Sequence, residues 1–280
     1  MEFLFQELEV KDFTEILAAY REAGIELGHA IDGGAGAGTT AEKIRQHLTK
    51  DAFVFAYEPF TGNHRFFVDC NPQIKLVKKA LSDASSSMTL SVHAVVQGDS
   101  AWGKRGLEGY SSAGHLTDQA PKNEHDAVVE CVRADEDLQG VGRIGFVKLD
   151  LQGGELSALK GMSDFLKTDV SMMWIEYMYA KHTTPKDIYN YLIDDFLILD
   201  TEYLFRGAPT DEALTYFKPS REGNLSSGAS VWYGFKRRPW TNFLEESELF
   251  ANSFGLIQTD LVAINKRYLG DFLKALGHIN

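Results

Sequence analysis

The sequence predicts an α/β fold, a mostly parallel sheet with helices on both faces. Short apolar runs alternate with segments of helical periodicity, which is the pattern of strand, helix, strand units. Some of these runs, IGFV and MMWI among them, are apolar throughout, as strands covered on both sides must be. A glycine-dense turn, DGGAGAG from Asp32 to Gly38, lies between ELGHAI, read as a strand, and TTAEKIRQHLTK, read as a helix.

That turn spells D-x-G-x-G-x-G with Asp32, Gly34, Gly36 and Gly38, and Gly33 fills a variable slot. Gly36, Gly38 and Ala41 also fit G-x-G-x-x-A, the fingerprint that seats a pyrophosphate on a helix N-terminus. Asp32 argues against phosphates, because a carboxylate there repels them. S-adenosylmethionine carries an ammonium and a sulfonium and no phosphate, so an acidic loop attracts it, and the helix N-terminus is left for its carboxylate. A glycine turn with no ligand is the plain alternative.

In chain order, Val10, Phe13, Ile16, Leu17 and Tyr20 fall at helical spacing, and Gly24 stops that helix. AFVFAYEPF reads as the second strand. It ends in Glu58, 20 residues after Gly38, where a carboxylate accepts hydrogen bonds from two ribose hydroxyls; a helix-capping role is the alternative. NHRFFVDC is expected as a short helix and IKLVKKALSD as a third strand. Its final residues, Ser82 and Asp83, join Asp32, Gly33, Gly34, Gly36, Gly38, Glu58 and Asp150 as expected cofactor contacts. MTLSVHAVV follows as a strand, and residues 98–126, rich in glycine, serine and charge, read as a long loop over the ligand edge. Within it Gly98, Gly103 and Lys104 approach a P-loop, but Arg105 replaces the hydroxyl that would hold magnesium.

HDAVVECVRADEDL gives a strand and an acidic turn. RIGFVKLD is a strand ending at Asp150, ahead of Gly153, Gly154 and a helix, and SMMWIEY is a buried strand ending at Glu176. TPKDIYNYLIDDF is a helix with Pro185 near its start, FLILDTEYLF a strand, TDLVAINKRYL a strand and DFLKALGHI the last helix. Residues 206–256 change to turns and aromatics. They are expected either to face the substrate or to extend the sheet edge as antiparallel strands.

Lys and Arg number 28 against 40 Asp and Glu, a formal charge of −12 that opposes a nucleic-acid partner. Two cysteines, Cys70 and Cys131, are too few for a disulfide framework and lack zinc-site spacing. No run of about 18 apolar residues is present, and the start MEFLFQELEVKDF lacks a basic lead-in, so the expectation is a soluble, cytoplasmic protein without a membrane span. Asn224-Leu225-Ser226 is then a chance sequon.

IDGGAGAGTTA, VFAYEPF, VKKALSD, GYSSAGH, VECVRADEDL and above all FVKLDLQGGELSALKGM, in this order, resemble the FkbM family of S-adenosylmethionine-dependent methyltransferases over most of residues 25–200. The resemblance implies a class I methyltransferase (Rossmann-like) fold, a seven-stranded sheet with one reversed strand. It also implies methyl transfer to oxygen, commonly a hydroxyl of a sugar or of a polyketide product, so that a small-molecule or glycan acceptor is expected. Gln152 departs from the family's K-hydrophobic-D-x-E-G-x-E signature, which has Glu there.

Transfer from a sulfonium is an in-line displacement, in which alignment alone is worth about 7–11 kcal/mol in good cases. Asp150, Glu176 and His182 are the candidates for general base, a service worth about 10²–10⁴-fold. Each has a plainer role: Asp150 binding the methionine ammonium, Glu176 bracing a loop, His182 structural. A divalent metal on Asp150, Glu176 and the acids of 135–137 is a variant that no spacing demands. An NAD-linked oxidoreductase and a cofactor-binding module without chemistry are the competing classes.

Overall fold

The computed structural model describes residues 12–96, 110–178, 185–206, 211–212, 217–223, 230–235 and 256–279. The glycine turn lies between strand β1 (His29–Gly33) and helix α2 (Thr39–Arg45). The other strands of the main sheet begin with β2 (Val54–Tyr57), β3 (Ile74–Val77), β8 (Ile144–Leu149) and β9 (Met172–Met178). β10 (Phe196–Arg206), β11 (Phe217–Gly223), β12 (Ser230–Phe235) and β13 (Leu256–Asn265) complete it. Their order across the sheet is β11-β12-β10-β13-β9-β8-β1-β2-β3.

Seven of these strands, from β10 to β3, form the expected class I core. β1, β2, β3, β8 and β9 pair in parallel, while β13 is antiparallel to both β9 and β10 and is the reversed strand. β12 and β11 prolong the sheet beyond β10 by antiparallel pairing. The described part of residues 206–256 therefore takes the sheet-extension form.

The two faces are covered as the all-apolar strands require. β8 is buried along its whole length. One face packs against α1 (Phe13–Glu22), α2 and α7 (Leu269–Ala275), where Phe13, Ile16, Leu17, Tyr20 and Phe272 meet Ala30, Phe146, Trp174 and Val262. The other packs against α4 (Glu155–Gly161), α5 (Ser163–Thr168) and α6 (Pro185–Leu192), where Leu159, Met162, Leu166, Ile188 and Leu192 meet Ile31, Val147, Leu149 and Ile175. α1 is started by the Asp12 carboxylate, which accepts from the Thr14 amide at 3.0 Å, and stopped by Gly24 at φ 71°.

A second sheet was not anticipated. The stretch 74–83, expected as one strand, breaks after Val77, and Ala80–Leu81 (β4) joins β5 (Ser86–Val96), β6 (Tyr110–Thr117) and β7 (Ala127–Val132) in the order β4-β7-β5-β6. Lys79, at the break, is held by Asp137 at 2.8 Å and Glu130 at 3.1 Å. Residues 98–126 are also corrected, because Tyr110–Thr117 is a strand paired antiparallel with β5, while 97–109 lie outside the described residues. Its Ser and Gly residues look loop-like, yet Gly114 suits the close pairing: a Cβ there would sit 3.2 Å from the Ser91 carbonyl. β4 pairs with β7 in parallel and β5 pairs antiparallel with both β6 and β7, so this segment builds a sheet of its own rather than feeding the main one. α3 (Ala134–Asp137) then returns the chain to β8.

Candidate active site

The site lies at the carboxyl edge of β1, β2 and β8, where crevices form in open parallel sheets. The β1 and β8 loops cross there in contact. The Asp150 amide donates to the Gly33 carbonyl at 3.0 Å, and a Cβ on Gly34 would lie 1.9 Å from the Asp150 carbonyl oxygen. Only glycine fits at 34, where φ is also 74°. The turn is anchored to β2 by the Gly34 and Ala35 amides, both donating to the Tyr57 carbonyl at 3.0 Å. Gly33 packs on Leu149 and Leu81, and Gly38 on the Phe67 ring.

Glu58 leaves the end of β2 and is buried. Its Oε2 accepts from the Gly36 amide at 2.7 Å and its Oε1 from the Phe60 amide at 2.8 Å. Phe60 caps the 3₁₀ helix Thr61–Phe67, so Glu58 braces that helix and the glycine turn together. Burial pushes its carboxyl up to about 7, against the hydrogen bonds of Phe60, Gly36 and Asn63, which favour the ionised form.

Asp32 is fully buried, and neither carboxylate oxygen has a hydrogen-bond partner. Burial raises it to about 6, with the Lys148 ammonium pulling down and Asp150 pushing up. Lys148 stands beside Asp32 in the strand register and donates to Asp150 Oδ2 at 3.1 Å. Its own burial disfavours the charge, but Asp150, Asp32 and Glu176 outweigh this and raise its pKa. One buried cation thus faces three acids, a local excess of negative charge at the cavity.

The β8 loop is held from within. Glu155, first residue of α4 and buried, accepts from the Leu151 amide at 2.8 Å and from the Gly153 amide at 3.0 Å. Gln152 sits at φ 54°, a conformation that costs a non-glycine residue about 1–3 kcal/mol and persists where its surroundings fix it. Its side-chain amide donates to Asp150 Oδ1 at 2.7 Å and to Glu176 Oε2 at 3.1 Å. Although burial opposes it, Asp150 is held below the usual carboxylate range by Lys148 and by hydrogen bonds from Glu176 and Gln152. Glu176 is driven well above that range by burial, then by Asp150 and by Asp260, its partner across the β9/β13 pairing. These opposed shifts are those of two interacting carboxyls that titrate as a pair, with ionisation favoured on Asp150.

Between these loops and the second sheet lies a cavity of about 760 Å³ including its open mouth. Gly34, Gly36, Glu58, Asp150 and Gln152 give it a polar side. Phe60, Leu81, Leu90, Val92 and Leu116 give it an apolar one.

Of the residues singled out in the sequence, Gly34, Gly36, Glu58 and Asp150 line the cavity, and Asp32, Gly33 and Gly38 shape the turn beneath it. Glu176 stands behind Asp150. Ser82 and Asp83 are elsewhere: they pair with Ser157, and Asp83 is exposed. His182 lies outside the described residues. From the sequence, Lys148 and Glu155 have no assigned role and Gln152 is only a departure from the family signature, although Lys148 is the lone charge in an apolar run, a signal in itself. No group of three or more His, Cys, Asp or Glu suited to a metal occurs among the described residues, and no helix there is long and apolar enough to cross a membrane.

No curated relative matches the chain. Among solved structures, it is similar to methyltransferase FkbM from Methylobacillus flagellatus KT at 15% identity and a TM-score of 0.43, over 84% of this chain and 50% of that one. The chain thus spans half the length of that protein. It is similar also to precorrin-6y C5,15-methyltransferase from Geobacter metallireducens GS-15, at 11% identity and a TM-score of 0.42, over 93% and 91% of the two chains. The N-terminal domain of human METTL16, solved in complex with SAH, is similar at 11% identity and a TM-score of 0.35, over 80% of this chain and 67% of that one. The methyltransferase FkbM domain model matches residues 32–206, from the acid that opens the glycine turn to the end of β10, and the chain belongs to the FkbM methyltransferase family.

Proposed function

We propose that this protein transfers a methyl group from S-adenosylmethionine to a hydroxyl of a sugar, glycan or glycosylated metabolite. The cofactor of the family is S-adenosylmethionine, which when bound supplies an electrophilic methyl on a sulfonium. The residues fit it: the unpartnered, buried Asp32 carboxylate and the acidic excess around Lys148 suit a ligand carrying two positive charges. Gly34 and Gly36 offer bare backbone, and Glu58 stands ready for ribose hydroxyls on exchanging its hold on the Gly36 amide.

The observation that carries the oxygen-transfer reading is the Asp150–Glu176 pair, with Asp150 on the cavity wall. Asp150, kept ionised by Lys148, accepts a hydrogen bond from the acceptor hydroxyl and orients its lone pair toward the methyl. Glu176, protonated behind it, sets how strongly Asp150 draws that proton. The acceptor class rests on the family and on the −12 charge, which disfavours polyanions. In the sequence, Trp232, Tyr233, Phe235 and Trp240 supply aromatic side chains of the kind that suits sugar rings.

Labelled S-adenosylmethionine, incubated with the protein and a broad cell extract, is expected to label carbohydrate-containing products. Asp150→Asn is expected to lose that labelling while retaining its fold. Label on protein or nucleic acid with none on carbohydrate overturns the acceptor class.

A further inference from the structure

Gln152 lines the cavity, and its carboxamide spans two acidic side chains from different strands, Asp150 at 2.7 Å and Glu176 at 3.1 Å. A carboxamide donates two hydrogen bonds and carries no charge. It therefore ties two carboxyl groups together without neutralising either, as Lys or Arg would, and without adding the repulsion that Glu would bring. The reach of that amide is set by its backbone. Leu151 and Gly153, on either side of Gln152, have their amides captured by the buried Glu155 carboxylate, which fixes the turn that puts Gln152 at φ 54°.

The charged groups that face the pair come from three strands. Lys148 of β8 donates to Oδ2 of Asp150 and Gln152 to Oδ1, Asp32 of β1 lies beside Lys148, and Asp260 of β13 is paired with Glu176 of β9. Lys148 pairs with Asp150 at 3.1 Å. Gln152 is the side chain seen to bridge both.

We propose that Gln152 is a positioning residue, which holds Asp150 and Glu176 as a coupled pair with one proton between them and Asp150 turned to the cavity. The proposal rests on the reading of Asp150 as the carboxylate nearest the acceptor. Without the bridge, the ionised forms lose a donor and the two carboxyls retain more protons at a given pH.

Carboxyl ¹³C NMR titration of the full chain without ligand tests this directly, with Asp150→Asn and Glu176→Gln assigning the two resonances. In the unaltered protein, the resonance lost in Glu176→Gln is expected to titrate well above ordinary glutamates. Gln152→Met keeps the side-chain length and removes the donor. It is expected to move the pair's titration upward by about one pH unit, a tenfold change in proton affinity. Gln152→Glu, which adds a charge, is expected to move it further. Gln152→Asn tolerates positive φ and draws the donor back, so it supplies the same upward shift if Met perturbs the turn. Titrations unchanged in the folded variants overturn the proposal. Because no cofactor or acceptor enters the measurement, failure of the methyltransferase reading shows separately, as absence of S-adenosylhomocysteine binding by the unaltered protein.

Discussion

Both loops beneath the cavity begin with an Asp at the end of a buried strand and run through glycines into a helix, but they are secured in opposite ways. The loop after β1 is held by distant chain, with its amides bound by the Tyr57 carbonyl and the Glu58 carboxylate, and its Asp32 has no hydrogen-bond partner. The loop after β8 is held by its own helix through Glu155, and its Asp150 has Lys148 and Gln152. The two acids shift accordingly, Asp32 up and Asp150 down. A carboxylate left without partners keeps its electrostatic demand for an incoming cation, whereas one already paired is fixed in place and charge.

The largest effect is expected where the loops touch. Gly34→Val drives a side chain into the Asp150 carbonyl and forces a β-branched residue to positive φ, so urea unfolding should show a loss of roughly 3–5 kcal/mol or no folded protein. Near-normal stability would show that the crossing is looser than described.

Asp32 comes next. It binds a proton more tightly folded than unfolded, so its favourable contribution is complete below about pH 4 and is lost as pH rises through about 6. Glu58 acts in the same direction through about 7. Between pH 8 and pH 5 the unliganded protein is expected to gain stability, about 1.4 kcal/mol of it through Asp32, and Asp32→Asn is expected to flatten that part of the curve. A parallel curve for the variant would remove the claim that Asp32 is a buried, uncompensated carboxylate.

S-Adenosylhomocysteine is expected to raise the melting temperature while NAD does not, by mass action on the native state. Glu58→Ala is expected to weaken that binding by about 1–3 kcal/mol in calorimetry, and the affinity of the unaltered protein to rise from pH 6 to pH 8 as Glu58 ionises. Unchanged affinity would assign Glu58 to bracing the turn and the 3₁₀ helix alone.

The smallest effect belongs to the self-secured loop. Glu155→Gln keeps one acceptor oxygen for the Leu151 and Gly153 amides, so the loss of stability should be about 0.5–1.5 kcal/mol, read from the same urea curves. A loss as large as that of Gly34→Val would erase the contrast between the loops.

The sequence by itself determined what depends on local pattern. Its all-apolar runs require strands buried on both faces, and the glycines of Asp32–Gly38 require a turn with positive φ, which the structure has at Gly34, Gly36 and Gly38. Glu58 was legible because its spacing from the turn is fixed by one strand–helix–strand unit. Tertiary structure alone decided which strands pair and which charges meet. The second sheet arises from long-range pairing of β5 with β6 and β7, which no local periodicity encodes, and Ser- and Gly-rich Tyr110–Thr117 becomes a strand because β5 offers it hydrogen bonds. Lys148, the lone charge of its apolar run, signals that it has partners but does not name them until β1, β8 and β9 lie side by side. Only then do Asp32, Asp150 and Glu176 surround one ammonium, and their shared field in a buried place, a property of no single residue, sets each one's charge.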